Sequence, residues 1–399
     1  MIKPLREKFN SAFSQEAYEK LLEGIQKSYP GQLDFRVAET PIFLTKDFTQ
    51  QLLDTCEYIL DEITEPTFLQ ETERSIPAAF RIPGNENNPT FIAFDFGICE
   101  NKNGNWEPQL IELQGFPSLF AYEVLLDDLV RKHFDIPKNF SCYLSGLDRS
   151  SYLELFKQLL VGDHSPEEVI LLELYPNKQK TRIDFSCTET YTGVKTVCLT
   201  ELRREGSHLF YEQAGKRTVI KRIYNRLIFD ELLQQPVEIQ QLLKILQQDL
   251  NVEWVIHPHW FYRISKFILP LLRHPYVPTT YFLNEVQQLP KDLTQYVLKP
   301  LFSFAGQGVI IDLKEEDLLH IPDPENWILQ QKVNYASLIP TPDEPAKAEI
   351  RVFYWWPKGA ARPIPVNNLG RMSKGKMIGT RYNKDRSWVG GNCFYFERP

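Results

Sequence analysis

FDFGICENKNGNWEPQLIELQGFPSL, residues 94–119, is the stretch on which the reading of this chain turns. It scans as two strands joined by a polar turn, and the Asn-Gly signal in that turn favours a hairpin. Asp95 lies on the first strand, and Glu112 and Gln114 lie on the second. Side chains two apart on a strand share a face, so Glu112 and Gln114 point one way while Ile111 and Leu113 point the other. Pairing brings Asp95 beside them, and three hard oxygen donors converging on one point suit Mg²⁺. Taken alone, the same residues also describe a polar stripe on a solvent-facing edge strand.

A second stretch, YVLKPLFSFAGQGVIIDL at 296–313, reads as a strand ending in Lys299-Pro300, a small-residue loop and a returning strand. Lysine at a strand end offers a point charge to a phosphate, and a loop of Ser303, Gly306, Gln307 and Gly308 lets backbone N–H groups come close. The loop is neither GxxxxGK[ST] nor GxGxxG before a helix. In NWILQQKV, Gln330, Gln331 and Lys332 are placed to reach a base edge or a phosphate. Farther on come Arg351, Arg371, Lys374 and Arg381, and arginine forks hold phosphates or carboxylates. The expected site therefore binds ATP and Mg²⁺, with Asp95, Glu112 and Gln114 on the metal and Arg351 and Arg371 as catalytic cations. Asp95-Phe96-Gly97 spells DFG, but no HRD loop or VAIK strand accompanies it in kinase order.

The bulk numbers are those of a soluble globular protein. A chain of 399 residues suggests two or three domains. It is 43% hydrophobic and 24% charged, with no run long enough to cross a bilayer and a polar, helical start that lacks a secretory signal. Net charge is −7 without a basic block, which argues against nucleic acid as a partner. Cys56, Cys99, Cys142, Cys187, Cys198 and Cys393 form no CxxC pair and read as reduced core cysteines of a cytoplasmic protein. His257 and His259, in IHPHW, read as a loop feature rather than a zinc site.

Periodicity divides the chain further. Residues 1–75 read as a helical segment, 75–140 as the metal-binding strands plus the helix SLFAYEVLLDDLVRKHF with Ser118 as a cap, and 145–270 as a Rossmann-like α/β layer. That layer includes a strand VIKRIYNRLIF and one long helix, DELLQQPVEIQQLLKILQQDL. Strands return over residues 275–335 and again over 340–399, the stretches that the resemblance given next makes the nucleotide-binding lid and the closing part of the fold.

In this order the pieces resemble the synthetase domain of glutathionylspermidine synthase and its relatives, a circularly permuted branch of the ATP-grasp superfamily. Asp95, then Glu112-Leu-Gln114-Gly-Phe-Pro117-Ser-Leu119, looks like that family's metal motif, with glutamine where asparagine is usual. VIKRIYNR, HPHWFYRISKFILPLL, Lys299-Pro300 with Gly306 and Gly308, ILQQKV and LGRMS resemble its later segments. The resemblance implies an α+β ATP-grasp fold and a ligase that joins a small-molecule carboxylate to an amine or thiol through an acylphosphate. It places Arg371 on the phosphates. Ala93 stands where the family has an arginine two residues before the metal aspartate, leaving Arg81, Arg351 or Arg381 to take that contact. A kinase acting on a small hydroxyl compound, and a catalytically degenerate nucleotide-binding protein, are the alternative readings. The acid, the acceptor and the oligomeric state are not written in the sequence.

Overall fold

The computed structural model describes residues 2–84, 88–213, 215–303, 306–375, 378, 383 and 385–398. The protein is a mixed α+β molecule built on several separate sheets. The apolar run FIAFDFGIC forms the strand Phe91–Glu100, buried on both faces up to its last residue. It lies inside a five-stranded antiparallel sheet, in the order Gly390–Asn392, Ile364–Ser373, Lys347–Trp355, Phe91–Glu100, Trp106–Gln114. The strand Phe91–Glu100 of the hairpin thus pairs with a strand about 250 residues later, Lys347–Trp355.

Alternation along Lys347–Trp355 explains how one face of this sheet is divided. Glu349 and Arg351 point to the same side as Phe353 and Trp355. The aromatic end is plugged by the helix Phe120–His133, whose Phe120 ring lies 4.7 Å from Phe91 and 4.8 Å from Phe353. Ala93 pairs with Phe353 and is fully buried there, so this neighbourhood is dry and packed. The charged end remains for a site. On the hairpin's outer strand, the helix Lys46–Thr64 sets Phe48 edge-on to Trp106 at 6.2 Å.

The Phe120–His133 helix is not capped by Ser118. Leu119 takes a left-handed φ of 79°, and the carboxylate of Asp184 accepts from the amides of Leu119, Ala121 and Tyr122, each at 2.9 Å. A buried acid from 60 residues away thereby satisfies donors that the helix start leaves open.

Within 145–270 the strands Glu253–Trp254, Arg222–Asn225, Val169–Glu173 and Lys195–Cys198 form a four-stranded sheet, all parallel. Val169–Glu173 is buried throughout, as a parallel strand covered on both faces should be. Two elements here differ from the sequence reading. VIKRIYNR divides into Lys216–Ile220, in an antiparallel meander, and Arg222–Asn225, in the parallel sheet. The single long helix is broken into Phe229–Leu232, Val237–Gln240 and Leu243–Leu246; the first break follows from Pro236, which has no N–H and disfavours helix in the residue before it.

A smaller antiparallel sheet, in the order Thr280–Phe282, Trp327–Gln331, Tyr296–Pro300, has its own core of Leu293, Leu298, Leu313 and Leu329. The expected strand GVIIDL contributes only an isolated bridge, Ile310 to Leu298. The first 75 residues are not helix alone, since Ile42–Leu44 pairs in parallel with Phe394–Glu397. All six cysteines are buried and unpaired with one another. Among the described residues, no helix is long and apolar enough to cross a membrane.

Candidate functional site

The register of the large sheet sets Arg351 directly opposite Asp95 and Glu349 directly opposite Arg371. Opposite charges facing across antiparallel strands attract, and here Asp95, Arg351 and Glu349 are buried while Arg371 is 32% exposed. Arg351 grips Asp95 with both arms, Nε to Oδ1 and Nη2 to Oδ2, each at 2.6 Å. Arg371 reaches across to the same carboxylate at 3.0 Å and also pairs with Glu349. The Asp95 side chain is only 1% exposed.

On the neighbouring strand the pairing shifts between Asp95 and Phe96, with Asp95 opposite Glu112 and Phe96 opposite Leu110. Ile111 is the extra residue of this bulge, and such a bulge interrupts the ladder and re-aims side chains. Leu110 and Leu113 are both buried while Ile111 is not. The expectation that Ile111 shares a face with Leu113 is corrected by this bulge: a Cβ placed on Gly97, two along from Asp95, would lie 3.2 Å from the Ile111 side chain. Gln114 donates its amide to Glu112 at 2.7 Å and to Asp95 at 3.4 Å, so the three proposed metal ligands do converge.

Two lysines from outside the sheet complete the cluster. Lys299, on the strand Tyr296–Pro300, donates to the Ile111 carbonyl at 3.3 Å and to Gln330 at 2.5 Å. Lys266, at the start of the short 3-10 helix Lys266–Leu271, lies 3.3 Å from Glu112 and donates to the Ser303 carbonyl at 2.5 Å. Burial disfavours the charge on Glu112, but Lys266, then Arg351, Lys299 and Arg371, outweigh it and hold the carboxyl at about 2. Burial lowers Lys299 to about 8, with Glu112 opposing that shift. For Glu349 burial pushes the carboxyl upward, against the pull of Arg371.

The other expected residues divide. Gly306 and Gly308 have φ of 70° and 73°, a backbone that favours glycine, and a Cβ on Gly308 would lie 3.0 Å from the Pro300 ring. The loop therefore folds back beside Lys299. Gln307 is exposed on that loop. Gln331 is exposed, and Lys332 turns to the Thr294 carbonyl at 3.0 Å and to Asp312. Of the basic residues, Arg81 pairs with Glu73 and Lys374 donates to the Ser387 carbonyl at 2.9 Å, so neither joins the cluster. Arg381 lies outside the described residues.

Three members were not singled out from sequence: Lys266, Glu349 and Tyr335. Glu349 carries the alternation signal of a residue two before Arg351. Lys266 stands in the quoted segment RISKFILPLL, where a lysine amid apolar residues was the available sign. Tyr335 follows the Gln330 strand, makes an isolated bridge with Cys99 and donates its hydroxyl to Glu349 at 3.1 Å.

Counted together, Asp95, Glu112 and Glu349 face Arg351, Arg371, Lys266 and Lys299, three carboxylates against four cations. Such a surplus suits an anionic ligand. As for Mg²⁺, the donor chemistry fits in Asp95 and Glu112, which supply hard carboxylate oxygens on adjoining strands, while Gln114 turns its amide nitrogen to both and would have to rotate its amide to offer an oxygen. Among the described residues, however, no three His, Cys, Asp or Glu side chains are arranged to hold a metal ion, and Arg351 spans both Asp95 oxygens. Two open cavities, of about 240 and 480 Å³, meet at Tyr175 beyond the carboxyl ends of the parallel strands, and none of the clustered residues lines either one.

No family model matches this sequence, and no curated protein matches it. Among solved structures, a glutathione synthetase-like effector from Globodera pallida, in its apo form, superimposes with a TM-score of 0.56. The two chains are 12% identical, and the match covers 96% of this chain and 97% of that one. At that identity the likeness is one of fold: over nearly its whole length, this chain is similar in architecture to a glutathione synthetase-like protein.

Proposed function

We propose that the protein is an ATP- and Mg²⁺-dependent ligase of the ATP-grasp type, permuted as in the glutathionylspermidine synthase family, joining a small carboxylate to an amine or thiol. One observation carries this reading: Lys299, from the small sheet, reaches the Ile111 carbonyl beside Glu112, so a phosphate-type lysine and a metal-type carboxylate serve one volume. The fold likeness supports it.

In this reading Lys299 and Lys266 bind phosphate oxygens beside Ser303, Gly306 and Gly308, and Gln330 orients the Lys299 ammonium. Asp95, Glu112 and Gln114 would hold Mg²⁺, which when bound supplies charge neutralisation at the phosphate oxygens. Arg371 and Arg351 stabilise negative charge that grows as the terminal phosphoryl group passes to the substrate carboxylate. The glycine loop excludes water, so that the acylphosphate meets the amine or thiol rather than hydrolysing. ADP and inorganic phosphate leave with the amide or thioester.

The test is ADP release across a panel of acids and amines, in the wild type and in Glu112→Ala. Loss of Glu112 takes the carboxylate from buried Lys266, so the variant should be less stable yet folded at neutral pH, while turnover falls at least ~100-fold. Unchanged turnover in a folded Glu112→Ala protein would refute the assignment. Phosphate retained on the substrate would instead indicate a kinase. A second reading, nucleotide binding without turnover, draws on the guanidinium that already occupies Asp95 and on the dry aromatic packing around Ala93, which leaves no room for the family's arginine. Tight ADP binding with no ADP release on any substrate would favour it.

A further inference from the structure

We infer that Arg351 is an internal place-holder for the divalent cation at Asp95, so that metal and nucleotide can enter this site only together. The inference rests on the proposed nucleotide site and adds how that site is controlled. Both Asp95 oxygens are taken: Arg351 occupies each at 2.6 Å, Arg371 adds a third bond at 3.0 Å and Gln114 a fourth at 3.4 Å. The carboxylate and the Arg351 side chain are 1% and 9% exposed, so neither charge has water to fall back on.

Each half-loaded state is therefore frustrated. A divalent ion arriving alone must displace Arg351 from Asp95 and leave a buried guanidinium without an anion. A nucleoside diphosphate arriving alone can draw Arg351 and Arg371 toward its phosphates, but it then leaves Asp95 buried and unpaired. When both arrive, the arginines exchange a carboxylate for a phosphate and the carboxylate exchanges an arginine for the metal. Every charge keeps a partner. The surplus of one cation in the cluster also matches a magnesium–diphosphate complex, which is itself a net anion. Glu112, paired with Lys266, Glu349, paired with Arg371, and Glu123, on the helix Phe120–His133, are the other carboxyls facing Arg351; the first two already have their own cations, and burial pushes Glu123 well above the usual carboxylate range, against the pull of Arg351, so it offers the guanidinium no ready anion.

Calorimetry on the full chain tests this with MgCl₂ alone, ADP alone in chelator, and ADP with MgCl₂. The expected result is no binding of Mg²⁺ alone at millimolar concentration, and ADP affinity that rises on the order of 10- to 100-fold with Mg²⁺. Arg351→Met removes the competing cation while keeping an unbranched stem. It should bind Mn²⁺ without nucleotide, seen by paramagnetic resonance, and its ADP affinity should depend on metal less than the wild type's does. Mg²⁺ binding to the wild type alone, metal enhancement below about threefold, or full enhancement persisting in Arg351→Met overturns the exchange while leaving the nucleotide site standing. Absence of ADP binding under every condition, in protein shown to be folded, instead overturns the proposed function and this inference with it. If Arg351→Met fails to fold, the wild-type titrations still decide.

Discussion

Tyr335 lies across Gly97 so closely that a Cβ at position 97 would stand 2.8 Å from its ring. The glycine therefore permits the linker that leaves the small sheet to cross the large one and to deliver the Tyr335 hydroxyl to Glu349. Gly97→Ala should force the ring away and destabilise the protein by about 1–3 kcal/mol, the usual cost of overpacking. Urea unfolding would measure it. In a Tyr335→Leu background the same substitution should cost clearly less, and equal costs in both backgrounds would show that the ring is not the obstacle.

Acid stability should depend on Glu112. Its folded value near 2 lies below the ordinary 4.5, so its ionisation stabilises the folded state fully above about 4.5, and that contribution disappears as pH falls toward 2. The amount is on the order of 3 kcal/mol. Glu112→Gln should flatten the fall in unfolding free energy across that window, as followed by denaturant titration at several pH values. An unchanged slope would remove Glu112 as its source.

Nucleotide affinity should fall in alkali. Burial holds Lys299 at about 8, so it is an ammonium at pH 7 and largely neutral at pH 9. Between those values ADP binding is expected to weaken on the order of tenfold, whereas Lys299→Met should bind weakly at both with no such trend. Parallel pH profiles for the two proteins would exclude Lys299 as the titrating group.

Gly115 connects the metal-type strand to the segment that bears Lys266. A Cβ there would lie 2.4 Å from the Trp260 carbonyl oxygen, and the Gly115 amide donates to Ile264 at 2.7 Å. Backbone cannot step aside as a flexible side chain can. Gly115→Ala should cost about 2–4 kcal/mol and displace Lys266 from Glu112, seen as a lowered melting temperature together with weaker ADP binding. A protein of wild-type stability and affinity would contradict the geometry.

What could be read from sequence followed periodicity and special residues. The Phe91–Glu100 and Trp106–Gln114 strands announced themselves by apolar runs around an Asn-Gly turn, and the meeting of Asp95, Glu112 and Gln114 followed from them. The bulge at Ile111 did not show, because one inserted residue leaves no mark on composition. Asp184 as the helix cap and Lys266 as a partner of Glu112 were hidden for a different reason. Each acts on a residue some 60 to 150 positions away, and only tertiary structure brings them there. Pro236 is visible in the sequence, and its missing donor overrides the helical spacing of the apolar residues around it.

The sheet order has a consequence for biosynthesis. FIAFDFGIC leaves the ribosome well before its central partner Lys347–Trp355, and at ordinary elongation rates that interval is roughly 10–50 s. Throughout it, a greasy β-segment with a buried-type aspartate has only its hairpin mate for company. Ile42–Leu44 waits longer still, for Phe394–Glu397. Premature termination anywhere between would strand both segments, and nascent chains of this protein should be clients of holdase chaperones until their closing residues emerge.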